Sequence, residues 1–183
     1  MLTNSFTSQK AKRTTTLSLR IDSELYEKLK NECDKKTISI NSLVTSTIQK
    51  HLAWDVFATE LGFTSISKKT VRQLFKQISE EKLKEIAKDS GFGIMKELLL
   101  LMFGRIDFMT IVEIIKIRAS LQGMVNHRVT SNEEHVITIH HGISQKFSYF
   151  LEEIFRTIAE EYNIIFRVSN SQPKILSFSL QEN

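Results

Sequence analysis

The sequence predicts an α+β protein: a short N-terminal strand with two helices, then a helical segment, then a small antiparallel sheet laid out as hairpin, helix, hairpin. Three observations predict it. Leu17, Leu19 and Ile21 alternate with Thr16, Ser18 and Arg20, the period of a half-buried strand. Apolar residues then recur at helical spacing from Leu25 to Leu121, punctuated by serine, threonine and glycine. Beyond Gly123 the period returns to two in paired short runs that flank one amphipathic helix. At 41% hydrophobic and 25% charged over 183 residues, the chain has enough apolar material for a sizeable core and is not of the disordered class.

Residues 1–13 are polar and aperiodic and read as a flexible basic arm carrying Lys10, Lys12 and Arg13. Both a phosphate-contacting arm and a solvated terminus are consistent with it. Residues 14–54 hold the strand and its two helices. Asp22 or Ser23 can cap the first, whose inward stripe is Leu25, Leu29 and Cys33 with Tyr26 on the flank. Thr37 marks a break, and Ser39 is placed to cap a second helix carrying Leu43, Val44, Ile48 and Leu52. The strand has no neighbouring segment to pair with, and a lone strand leaves its backbone groups and its apolar face uncovered. A second copy of the chain supplies the missing partner, giving an antiparallel two-stranded ribbon across a two-fold axis. Hydrogen-bond accounting thus predicts a homodimer.

The stretches LSLRI, DSELYEKL and TISINSLVTSTIQKHL together resemble the ribbon-helix-helix family, the class of the Arc and MetJ repressors, over roughly forty residues. The resemblance implies a homodimeric, sequence-specific DNA-binding transcription regulator of the repressor kind, with double-stranded DNA as its partner. Thr16, Ser18 and Arg20 would then enter the major groove and contact bases. Ser39, Ile40 and Asn41 would hold a phosphate on free amides at the start of the second helix. Lys12, Arg13, Lys35 and Lys36 would add phosphate contacts. Thr37 departs from the glycine often found there, and a β-branched residue is strained at positive φ. Charge is distributed as such a unit requires: residues 1–53 hold nine Lys or Arg against five Asp or Glu, while the remainder holds sixteen of each.

Residues 55–122 read as a helical segment. The second helix runs on through Trp54, Val56, Phe57 and Leu61 toward Gly62, with Trp54 placed to seal the boundary between the small N-terminal unit and this segment. Further helices are predicted at 69–78, at 80–88 behind a cap at Ser79, at 94–103 and at 108–121, with glycines 91, 93, 104 and 123 at their ends. The most apolar stretch, 98–117, is interrupted by Arg105, Asp107, Glu113 and Lys116 and reads as buried helices rather than a membrane span. One cysteine excludes a disulfide framework, and no signal-peptide core opens the chain, so a cytoplasmic protein is expected.

Residues 123–183 complete the prediction. The runs 124–130 and 135–141 form a hairpin across SNEE; Ser144 opens a helix with Phe147, Phe150, Leu151, Ile154, Phe155 and Ile158 on one side; and IIFRVS pairs with KILSFSL around NSQP. The stretch ITIHHGISQKFSYFLEEIF, with its aromatic–serine pair Phe147 and Ser148, resembles companion domains of archaeal regulators, which implies no particular ligand. An oligomer higher than a dimer through this part stays open.

Histidine supplies the only candidate metal set: His127, His135, His140 and His141 in the first hairpin. Nickel-responsive members of the resembled class couple the DNA-binding unit to a histidine-rich sensory domain. Here adjacent His140 and His141 point to opposite faces, His127 and His135 fall on different faces in the simplest register, and Cys33 lies far off in sequence. Packed or solvated imidazoles are expected, with no metal and no cofactor. No serine elbow, phosphate-cradling glycine loop or HExxH helix is present, and an enzyme is not expected. Two alternatives share the N-terminal unit: an antitoxin whose remainder wraps a toxin, and a regulator gated by a metal or small molecule in its C-terminal domain.

Overall fold

In the computed structural model, which describes residues 14–122 and 125–183, the Asp22 carboxylate accepts the Leu25 amide at 2.8 Å and starts helix α1, Ser23–Lys36. Glu24 in its first turn and Lys35 and Lys36 in its last complement the helix dipole. Thr37 ends it at φ 54° and ψ 44°, left-handed as a glycine would be. The Thr37 amide donates to Asp34 O and the Ile38 amide to Cys33 O, the paired bonds of a Schellman cap. Those two bonds hold a β-branched residue where its side chain is disfavoured. Ser39 then accepts the Ser42 amide at 3.0 Å and caps α2, Ile40–Lys50. A π-helical turn, His51–Asp55, carries the helix on into α3, Val56–Glu60, and Gly62 at φ 71° lies just beyond it.

The expected strand is not formed. Residues 14–22 have no regular structure within the single chain and are exposed, Leu17 at 70% and Leu19 at 62%. A strand exists only through inter-strand hydrogen bonds, and none of the described segments supplies them. The predicted inward stripe of α1 is only partly covered: Cys33 is buried and Leu29 half-buried, but Leu25 is exposed, as is Tyr26 on the flank.

The chain divides at Ser46–Thr47 into two compact units. In the second, α4 (Lys68–Gln77) is capped by Ser67, and α5 (Glu80–Ile86) by Ser79, whose hydroxyl accepts the Lys82 amide. A π turn, Ala87–Gly91, joins α5 without a break to α6, Phe92–Phe103. Gly91 and Gly93 therefore do not end helices, contrary to expectation. A Cβ at Gly91 would lie 2.7 Å from Ile154 Cδ1, so this glycine serves close helix approach instead. Gly104, at φ 67°, does end α6, and α7 follows at Phe108–Gln122. Among the described residues no helix is long and apolar enough to cross a membrane.

Strands β1 (Val125–Val129) and β2 (His135–Ile139), helix α8 (Gln145–Glu161), and strands β3 (Ile164–Gln172) and β4 (Ile175–Glu182) come next as hairpin, helix, hairpin. The sheet is antiparallel throughout in the order β1-β2-β4-β3. Asn170–Gln172, expected in a turn, instead extend β3 past a bulge at Val168/Asn170, leaving Pro173 and Lys174 to turn the chain. One sheet face carries Ile137, Leu176, Phe178 and Leu180, all buried. Phe155 of α8 stacks on Phe178 at 4.6 Å, and Leu98, Leu99, Ile111 and Ile114 of α6 and α7 complete the same core.

Candidate nucleic-acid interface

In the first unit the residues singled out for base contact, Thr16, Ser18 and Arg20, all lie in the exposed segment before α1. They alternate with exposed Leu17, Leu19 and Ile21, so an extended conformation would put the two sets on opposite faces. Across the Thr37 turn, Ser39 and Asn41 are exposed and Ile40 is half-buried. The Ser39 hydroxyl occupies the Ser42 amide, while the amides of Ile40 and Asn41 belong to the first turn, which makes no intrahelical bonds. An anion there meets backbone donors and the positive end of an eleven-residue helix. Lys36 pairs with Glu32 at 2.8 Å across one turn, which raises the lysine pKa and lowers that of the carboxyl group. Both side chains are exposed, so an anion at Lys36 would have to compete with Glu32 for the ammonium. Lys12 and Arg13 lie outside the described residues.

The four histidines expected as a candidate metal set separate into a surface residue, a pair and a buried one. His140 is exposed. His127 and His135 are not on different faces: the register sets His127 opposite Ile137 and His135 opposite Val129, which aligns both imidazoles on one face. Their Nε2 and Nδ1 atoms lie 3.0 Å apart, and the His135 ring meets Phe108 edge-on. Burial, then the charge of Lys116, lowers both pKa values. Among the described residues no group of three or more His, Cys, Asp or Glu side chains could hold a metal ion.

His141 is the packed member of the set and lies just past the end of β2. It is 3% exposed, and its Nδ1 accepts the Ile143 amide at 3.2 Å. The proton therefore sits on Nε2, which donates to Ser148 Oγ at 2.8 Å, while Ser148 donates to Gln172 O at 2.6 Å. That direction is the reverse of a general base facing a nucleophile, so the pair ties three elements together without activating the serine. Its signal in the sequence was Ser148 itself, a hydroxyl on the apolar stripe of Leu151 and Phe155, which needs a partner once buried.

Burial, then the charge of Lys68, lowers the His141 pKa from 6.5 to about 4. The unfolded chain thus binds a proton that the folded chain refuses between those values. Stability from this group is complete above pH 6.5 and is lost as pH falls toward 4. His141→Gln is expected to flatten the decline in unfolding free energy over this interval by about 3 kcal/mol, the remaining acid sensitivity including the shares of His127 and His135. Chemical denaturation at stepped pH measures it, and parallel curves for parent and variant would refute the assignment.

No protein-family model matches the chain, and no curated protein matches it.

Proposed function

We propose that the chain is a sequence-specific DNA-binding transcription regulator that acts as a homodimer, with residues 15–21 of two copies pairing as a β-ribbon in the major groove. The observation that carries this reading is the exposed alternating segment without a strand partner among the described residues, beside a helix pair whose apolar faces are also partly uncovered. In the ribbon, Thr16, Ser18 and Arg20 face base edges, and Arg20 is suited to bidentate donation to guanine. Ser39, Ile40 and Asn41 fix the register on phosphate, and Lys12, Arg13, Lys35 and Lys36 add charge. The excess of positive charge in residues 1–53 supports the same reading.

Selection of bound DNA from a random pool, with the oligomeric state measured alongside, tests it: a two-fold symmetric site bound by a dimer is expected, and no enrichment would overturn it. Arg20→Ala is expected to weaken the selected site by about 1–3 kcal/mol and to relax preference at one base position. Unaltered preference after reselection would remove Arg20 from the base-reading set. A second reading, regulation gated by a small molecule, is favoured by an apolar cleft of about 580 Å3 in the second unit, lined by side chains that include Val71, Leu98, Ile139 and Phe150.

A further inference from the structure

Helix α4 begins with Lys68 and Lys69 and has no acidic residue in its first turn, where the helix dipole favours carboxylates. Helix α5 shows the ordinary arrangement, with Glu80 and Glu81 in that position. Further along α4, Arg72 follows Lys69 by three residues and precedes Lys76 by four, so three cations share one side of the helix. Like charges at these spacings oppose the helix rather than support it.

Two other segments meet α4 at the loop Gly142–Ile143. Arg72 donates to Ile143 O at 2.8 Å and to Gly142 O at 3.0 Å, and the Gly142 amide donates at 3.1 Å to Lys174 O in the turn between β3 and β4. Residues 61–79, 135–151 and 162–181, which contain these three places, hold seven Lys or Arg and no Asp or Glu. The other residues of 54–183 hold nine against sixteen, so the balanced charge of that stretch conceals a segregation. Of the seven, Arg167 pairs with Glu134, and Lys146 is held by Ile78 O and lies in the field of Glu81. Lys69, Lys76 and Lys174 are exposed and make no ion pair among the described residues. By contrast Lys82, Lys88, Lys96, Lys116 and Arg156 each lie against a carboxylate.

We propose that Lys69, Gln73, Lys76 and Gln77 of α4, with Lys174 across the Gly142 loop, form a second DNA contact that holds the sugar–phosphate backbone of a duplex without reading its bases. The choice of DNA rests on the ribbon reading. From Lys69 to Lys76 the helix advances about 10 Å, a length over which one DNA strand presents about three phosphates. Gln73 and Gln77 are exposed between and beyond the lysines and add neutral donors for phosphate oxygens. A lipid surface would need an apolar helix face to insert, but that of α4 is occupied: Phe75 packs against Phe147 and Phe150 at 5.3 and 5.4 Å, leaving Leu74 as its one exposed apolar side chain. A protein partner would look for an apolar or aromatic anchor, which the Lys and Gln side chains do not provide.

Fluorescence anisotropy of a labelled duplex of random sequence, titrated with the full chain over a range of salt concentrations, tests the proposal. The combined variant Lys69→Gln, Lys76→Gln, Lys174→Gln changes exposed side chains only, so its fold is expected to persist. It is expected to bind at least about tenfold more weakly at low salt and to lower the slope of log affinity against log salt by about two to three units. The variant Lys82→Gln, Lys96→Gln, Lys116→Gln removes the same charge from lysines already paired with carboxylates and is expected to stay within about twofold of the parent. An unchanged slope in the first variant, an equal loss in the second, no binding of the duplex by the parent, or tighter binding of the parent to phosphatidylglycerol vesicles than to the duplex would each overturn the proposal. Selection of a bound site reads the ribbon separately. An enriched site with an unchanged slope keeps the ribbon and removes this surface, whereas a lowered slope without an enriched site does the reverse.

Discussion

In the proposed ribbon dimer, Leu19→Asp is expected to abolish pairing and leave the protein monomeric. Leu19 is 62% exposed in the single chain and lies midway along the alternating segment between Leu17 and Ile21. Pairing two copies would bury it twice, because a two-fold interface repeats every contact. Burying a leucine side chain is worth about 1.5–3 kcal/mol, so two copies contribute about 3–6 kcal/mol to the dimer, or roughly two to four powers of ten in its dissociation constant. Aspartate forfeits that gain and adds two like charges near the axis. Sedimentation equilibrium reads the result directly. Ser18→Ala, on the opposite face, should leave the dimer unchanged while affecting DNA. A Leu19→Asp chain that dimerises as the parent does would place the interface elsewhere and end the ribbon reading.

Phe178→Ala is expected to cost the second unit about 3–5 kcal/mol, the range for removing a fully buried aromatic side chain. Phe178 is 0% exposed at the middle of β4, opposite Ile137 on one side and Val168 on the other. It stacks on Phe155 at 4.6 Å and lies tilted against Phe166 at 5.4 Å. Alanine would leave those two rings facing a void that strands on both sides prevent from collapsing. Denaturant unfolding should show a lower midpoint at an unchanged slope, whereas Phe178→Leu, which keeps most of the volume, should cost much less. A loss below about 1 kcal/mol would mean that the core closes around the gap.

Local chemistry was the legible part of the fold. Asp22, Ser39, Ser79 and Ser144 each cap the helix expected of them, because a cap is decided by a side chain and an amide two or three residues away. Pro173 likewise stands in its turn. Relations across the chain were less legible. The faces of His127 and His135 depend on hairpin register, and the five-residue connection 130–134, with Glu133 at φ 59°, set it one step from the simplest reading. Gly91 looked like punctuation because its reason is Ile154, sixty-three residues away, and no local pattern carries that contact. At the candidate interface, alternation singled out Thr16, Ser18 and Arg20, but no strand is formed there because none of the described segments supplies a hydrogen-bond partner.

The order β1-β2-β4-β3 also sets a sequence of events during synthesis. β4 lies in the centre of the sheet yet is the last strand to be made, and its pairing with β2 spans all of α8 and β3. Closing that loop costs entropy before the contacts that reward it can form. Until β4 arrives, Ile137 has no Phe178 beside it and β2 presents a bare edge, the kind of surface on which nascent chains aggregate. The nascent chain is thus most vulnerable between completion of the first hairpin and emergence of residues 175–182.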